Sequence, residues 1–153
     1  MLPLRDPDYQ ALLQLRTGLR RFLRWSEQRA KAAGLTPAQH QLLLAIRGHP
    51  DPEGPSIGDV AAYLFLRHHS AVGLVDRAER AGLVDRRQDP ANHSMVRLQL
   101  TSKGLQQLEA LSELHLEELS HLAPAMRALW DALDRAGYRN AAEERHPAAP
   151  PST

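Results

Sequence analysis

The stretch SIGDVAAYLFLRHHSAVGLVDRAERAGLVDRR, residues 56–87, decides the fold. Ser56 opens it as a helix cap, with Asp59 favourably placed in the first turn of a short helix that runs to Leu64. Leu66 falls in the turn that follows. A second helix is expected from about His68 to Ala81, with Ala71, Leu74, Val75 and Ala78 along one side and Gly82 ending it. The other side then carries His69, Ser70, Gly73, Asp76, Arg77 and Arg80. Leu83–Arg87 reads as a strand, Met95–Leu100 alternates like its partner, and Asp89–Ser94 supply the turn residues of a hairpin.

Upstream, apolar residues recur at Leu12, Leu15, Leu19, Phe22 and Leu23, which predicts a long amphipathic helix from Asp8 to about Lys31, closed by Gly34. Thr36, Pro37 and Gln39 then form a capping box for a helix that buries Leu42, Leu43 and Ile46. His49–Pro55 is too rich in Pro and Gly to be anything but a loop. Downstream, Thr101 caps a long helix carrying Leu105, Leu108, Leu111, Leu114 and Leu119. Pro124 interrupts it or starts another, with Met126, Leu129, Trp130 and Leu133 on one stripe. The expected fold is therefore mainly α with a small β-hairpin wing, a winged helix-turn-helix between long N- and C-terminal helices. Its parts are an N-terminal helix over residues 1–34, a winged-helix lobe over 35–101, C-terminal helices over 102–137 and a flexible tail over 138–153. Wide apolar faces on the flanking helices, above all the stripe of Leu105, Leu108, Leu111, Leu129 and Leu133, point to a twofold dimer.

The 153 residues are 42% apolar and 24% charged, enough for one soluble domain with a core. The absence of Cys removes disulfides, thiolate metal sites and thiol catalysis. The start lacks the pattern of a signal peptide and no apolar run is long enough to span a bilayer, so a cytoplasmic location is expected. The net charge of +1 hides a block: residues 67–103 carry seven basic and four acidic side chains. Nucleic acid is drawn to such a block, although solvated helix faces give the same imbalance.

Helix-turn-helix proteins read base edges with the outward N-terminal half of the second helix. That rule nominates His68, His69, Ser70, Gly73 and Arg77. Ser70 could instead cap the helix, and Arg77 could pair with Asp76 or Asp85. Arg67, Arg86 and Arg87 flank this surface and suit phosphates. His68 and His69 diverge by about 100° on a helix, and His115 and His121 lie on different faces, so no zinc spacing occurs. No nucleophile elbow, phosphate-binding glycine loop or zinc-protease helix is present, so no catalytic residue, metal or cofactor is expected.

Taken in order, Leu35–Gln39, Ser56–Ala61, His69–Arg77, Ala81–Arg87, Asp89-Pro90 and Leu98–Thr101 resemble the multiple-antibiotic-resistance-regulator (MarR) family over about residues 8–136. The resemblance implies a dimeric transcription regulator, usually a repressor, that releases a palindromic operator on binding a small phenolic or lipophilic ligand. It also places Trp25 and His40 where the family's ligand cleft opens, although ordinary core packing is the simpler reading of Trp25. The wing departs from the family pattern: Asn92 and His93 stand where an Asp and a groove-inserting Arg are usual. His93 becomes the wing's candidate DNA contact, in place of the inserting Arg. Two other readings remain open, a winged-helix protein-interaction module with weak DNA binding and a metal-responsive regulator built on the histidines.

Overall fold

The computed structural model describes residues 3–137, so the tail expected over 138–153 lies outside the described residues. Six helices and one hairpin follow in order: α1 (Asp6–Ala32), α2 (Pro37–Gly48), α3 (Ile57–Leu64), α4 (His68–Arg80), β1 (Val84–Gln88), β2 (Val96–Leu100), α5 (Ser102–Ser120) and α6 (Ala123–Arg135). Both expected caps form as capping boxes. Thr36 and Ser56 each accept from the third backbone N–H of their helix, while Gln39 and Asp59 reach back to the cap N–H. Thr101 accepts from the Gly104 N–H at 3.0 Å and starts α5. Pro124 sits in the first turn of α6, where a missing N–H costs nothing, so it begins a helix and interrupts none.

The chain divides into two compact units, one of residues 25–115 and one of the segments up to 24 and from 116. The larger unit is the winged-helix lobe. Its centre is Leu42, Leu43, Val60, Val75, Val84 and Leu98, all essentially inaccessible to solvent. Each buried Leu or Val contributes about 1.5–3 kcal/mol by leaving water. The unit reaches beyond 35–101 in both directions because Ala30 of α1 and Leu108 and Leu111 of α5 belong to the same core. This corrects one expectation. Leu108 and Leu111 are buried within the chain and offer no apolar face to a second copy.

β1 and β2 pair antiparallel, Val84 opposite Leu100 and Gln88 opposite Val96. The Pro-rich segment 49–55 is a loop, as expected, but its end docks on the hairpin. The Leu98 N–H donates to the Pro55 carbonyl at 2.9 Å, and Pro55 is fully buried. His49 Nδ1 and the Tyr63 hydroxyl, 2.8 Å apart, tie the start of the loop to α3.

In the smaller unit Ala11, Leu122, Ala132 and Ala136 are buried, and Leu129 and Leu133 line a cavity of about 160 Å³ with Leu4, Asp8 and Leu12. Large apolar side chains stand exposed there at Leu12, Leu13, Leu19 and Leu23 of α1, and at Leu116, Leu119, Met126 and Trp130. That is more exposed apolar surface than an isolated helical pair ordinarily leaves in water.

Candidate nucleic-acid interface

α4 buries Ala71, Leu74, Val75 and Ala78 on one side, and that choice fixes what the other side presents. Arg67, His68, His69 and Arg77 are exposed, and Ser70 and Gly73 are half-buried between them. Arg67 holds the N-cap position with no side-chain cap bond, so the first N–H groups of α4 are not closed off by a side chain. Ser70 lies inside the helix, three residues past Arg67, and is therefore not its cap. Gly73 leaves room over which Arg77 folds: a Cβ there would meet Arg77 Nη1 at 3.2 Å. Among the described residues no ion pair engages Arg67, Arg77 or Arg87. The alternative in which Asp76 or Asp85 neutralises Arg77 does not form.

Arg86 behaves differently from its neighbour Arg87. Its guanidinium hydrogen-bonds Asp76 of α4 at 2.5 Å and also Glu79. Two carboxylates neutralise it and fasten β1 to α4. The structure thus places Arg86 as a brace, while Arg87 projects into solvent as a free cation.

The wing is organised from its base. The Asp89 carboxylate accepts from the Ala91 and Asn92 N–H groups, both at 2.8 Å, and from Arg97 Nε at 2.7 Å. The Arg97 hydrogen bond above all, then the two backbone donors, hold its carboxyl below the usual carboxylate range. Arg97 also donates to the Gly54 carbonyl at 3.1 Å and lies 3.6 Å from Asp51, so one guanidinium ties the wing to the Pro-rich loop. At the tip Asn92 Oδ1 accepts from the Ser94 N–H and hydroxyl, and His93 is exposed. The wing that lacks the usual groove-inserting Arg is nonetheless a closed turn with its imidazole outward. Sequence reasoning missed Arg97. The signal was Arg87 directly opposite Arg97 in the hairpin register, a like-charge pair that is unfavourable unless one cation is drawn aside.

Trp25 and His40 do meet, through a third residue the sequence had not marked for this role. The His115 ring lies 4.9 Å from Trp25 and 4.7 Å from His40. Its Nδ1 faces the Leu111 carbonyl at 2.6 Å and its Nε2 faces the Ser26 hydroxyl, also at 2.6 Å. A carbonyl only accepts, so Nδ1 carries the proton, and in the neutral ring Nε2 accepts from Ser26. Burial, and after it the neighbouring His115, lowers the pKa of His40. A histidine whose pKa falls on folding favours the fold in its neutral form. Lobe stability is therefore expected to be full above about pH 6.5 and to decline as pH drops through the lowered value. His40→Gln should flatten that decline in urea melts taken at several pH values. An equal decline in both proteins removes His40 as its source. Among the described residues no three His, Asp or Glu side chains gather as a metal site, and no helix is long and apolar enough to cross a membrane.

The MarR family profile matches residues 33–93, from the end of α1 to the wing tip. No curated protein sequence is significantly similar to the chain. Solved structures with the same fold include a MarR family transcription regulator, 22% identical, covering 92% of this chain and 93% of its own at a TM-score of 0.67. MepR of Staphylococcus aureus in complex with DNA is 19% identical, covering 84% and 93% at a TM-score of 0.64. CouR of Rhodococcus jostii RHA1 bound to p-coumaroyl-CoA is 20% identical, covering 90% and 92% at a TM-score of 0.63. At these identities the likeness is one of fold.

Proposed function

We propose, from the match of residues 33–93 to the MarR family profile, that the chain is a cytoplasmic homodimeric regulator that represses transcription from a palindromic operator and releases it on binding a small ligand. The observation that carries the DNA reading is the outer side of α4, where Arg67, His68, His69 and Arg77 stand exposed beside Arg87. Such a face matches the polyanion, with Ser70 and Gly73 placed for base edges and the arginines for phosphates. His93 offers a contact at the wing tip. Arg86 supports this face by offsetting part of the negative charge of Asp76 and Glu79.

The homodimer rests on the exposed apolar residues of the smaller unit, Leu12, Leu19, Leu23, Leu119 and Trp130 among them. The effector reading rests on Trp25, His40 and His115. They gather three aromatic rings, the kind of lining on which a flat phenolic ligand packs. The protein-interaction alternative draws on the missing wing Arg, which His93 still replaces in this closed turn. Among the described residues no grouping favours the metal-responsive alternative.

The test is selection of duplexes from a random pool by the purified protein, followed by light scattering of the protein alone and with the selected duplex. An inverted repeat with half-sites about one helical turn apart, bound by two chains, is expected. Recovery of no sequence above background, or a monomer at micromolar concentration, overturns the corresponding part.

A further inference from the structure

Four helices of the described chain close on a residue with left-handed backbone. α1, α4 and α6 do so on Gly34, Gly82 and Gly137, with φ of 80°, 72° and 75°. α3 does so on Phe65, with φ 53° and ψ 41°. The closure is the paired hydrogen-bond motif that also ends α1 and α4: the Leu66 N–H reaches the Ala61 carbonyl at 2.9 Å, and the Phe65 N–H the Ala62 carbonyl at 3.4 Å. Glycine takes this conformation freely, while a side chain crowds its own backbone. The ring packs on none of the described residues, since Phe65 is 97% exposed. An aromatic that strains its backbone and packs on nothing costs stability twice, and such outliers mark functional positions.

Its position says for what. Phe65 stands two residues before Arg67, the N-cap of α4, and Arg67, His68 and His69 follow it in the open. No carboxylate occurs anywhere between Val60 and Val75. The surroundings are thus complementary to a polyanion, and this end of α4 is the end that meets base edges. A phenyl ring neither donates nor accepts a hydrogen bond. The apolar feature that base edges offer in the major groove is the thymine methyl group.

We propose that Phe65 packs on a thymine methyl in each half-site and is a specificity-determining residue of the interface. The inference rests on the DNA-binding reading above. Its test uses the duplex that the parent protein selects from a random pool, in which each thymine is replaced in turn by uracil to remove one methyl. The parent is expected to lose affinity about five- to tenfold at one thymine per half-site. Phe65→Gly is expected to melt at a higher temperature than the parent, because the strain is gone, and yet to bind the intact duplex about tenfold more weakly. It should also be indifferent to the uracil that weakens the parent. Phe65→Asn, which tolerates the same backbone, should behave alike. Parent-like binding by the Gly variant, or retained sensitivity to that uracil, overturns the proposal and leaves DNA binding standing, with the ring then serving a protein contact. Failure of the parent to select any duplex removes the DNA-binding reading and this inference with it.

Discussion

Gly54→Ala is expected to cost the lobe roughly 3–5 kcal/mol, and to lower Tm by on the order of 10 °C, for the addition of one methyl group. Two costs coincide at this position. Gly54 has φ +89°, which a side chain disfavours by about 1–2 kcal/mol. Its Cβ would also stand 2.0 Å from the Leu98 carbonyl oxygen and 3.1 Å from the carbonyl carbon. That carbonyl cannot swing away, because Leu98 is fully buried and its N–H is held by Pro55. Relief requires the loop to lift from β2, which also pulls the Gly54 carbonyl off Arg97 and loosens the wing. Gly48→Ala is the matched control. It adds the same methyl at the end of α2 with nothing within 4 Å and no positive φ, and should stabilise by about 0.4–1 kcal/mol. Urea denaturation of the three proteins decides the matter. A Gly54→Ala midpoint near that of the parent would show that the loop does not press on the hairpin.

That loop also marks where sequence reading stops. Helices α2, α3 and α4 were legible because their signals are local: a capping box spans four residues, and an apolar face repeats within one turn. The hairpin was legible from its alternation and its Asp-Pro turn. The docking of Pro55 on Leu98 joins residues 43 positions apart, and composition says only that such a segment will not be helical. The fate of the Leu stripe in α5 was hidden for a similar reason. Leu108 and Leu111 have the periodicity of any amphipathic helix, and only the packed lobe shows that their partners lie in the same chain.

The candidate site divides along the same line. The basic outward face of α4 follows from periodicity once its inner residues are known. Which arginines are free does not follow, because pairing depends on rotamers and on strands brought alongside the helix. Arg86 and Arg87 are neighbours in sequence and on opposite faces of a strand, so one meets Asp76 and Glu79 and the other meets water. Phe65 was unremarkable in the sequence because a left-handed helix end is usually announced by glycine, and here it is not.

The contrast between those two arginines gives the second large effect. Arg87→Ala is expected to weaken DNA binding at every sequence alike and to reduce the slope of log K against log salt by about two units, one from each protomer of a dimer. A reduction of about one unit is the result for a monomer, and an unchanged slope removes Arg87 from the phosphate footprint. Arg86→Ala weakens binding by another route. It leaves the Asp76 and Glu79 carboxylates uncompensated beside the face that meets phosphate, and like charges repel through the low-dielectric interface. Removing those carboxylates should therefore restore most of what Arg86→Ala loses, so Arg86→Ala combined with Asp76→Asn and Glu79→Gln should bind close to the parent. The same pair of substitutions added to Arg87→Ala cannot replace a lost phosphate contact and should leave its slope reduced. Measured on one selected duplex at several salt concentrations, equal rescue of both arginine variants would mean that Arg86 and Arg87 serve the same role. Rescue of the Arg86 variant alone is what the ion pairs with Asp76 and Glu79 require.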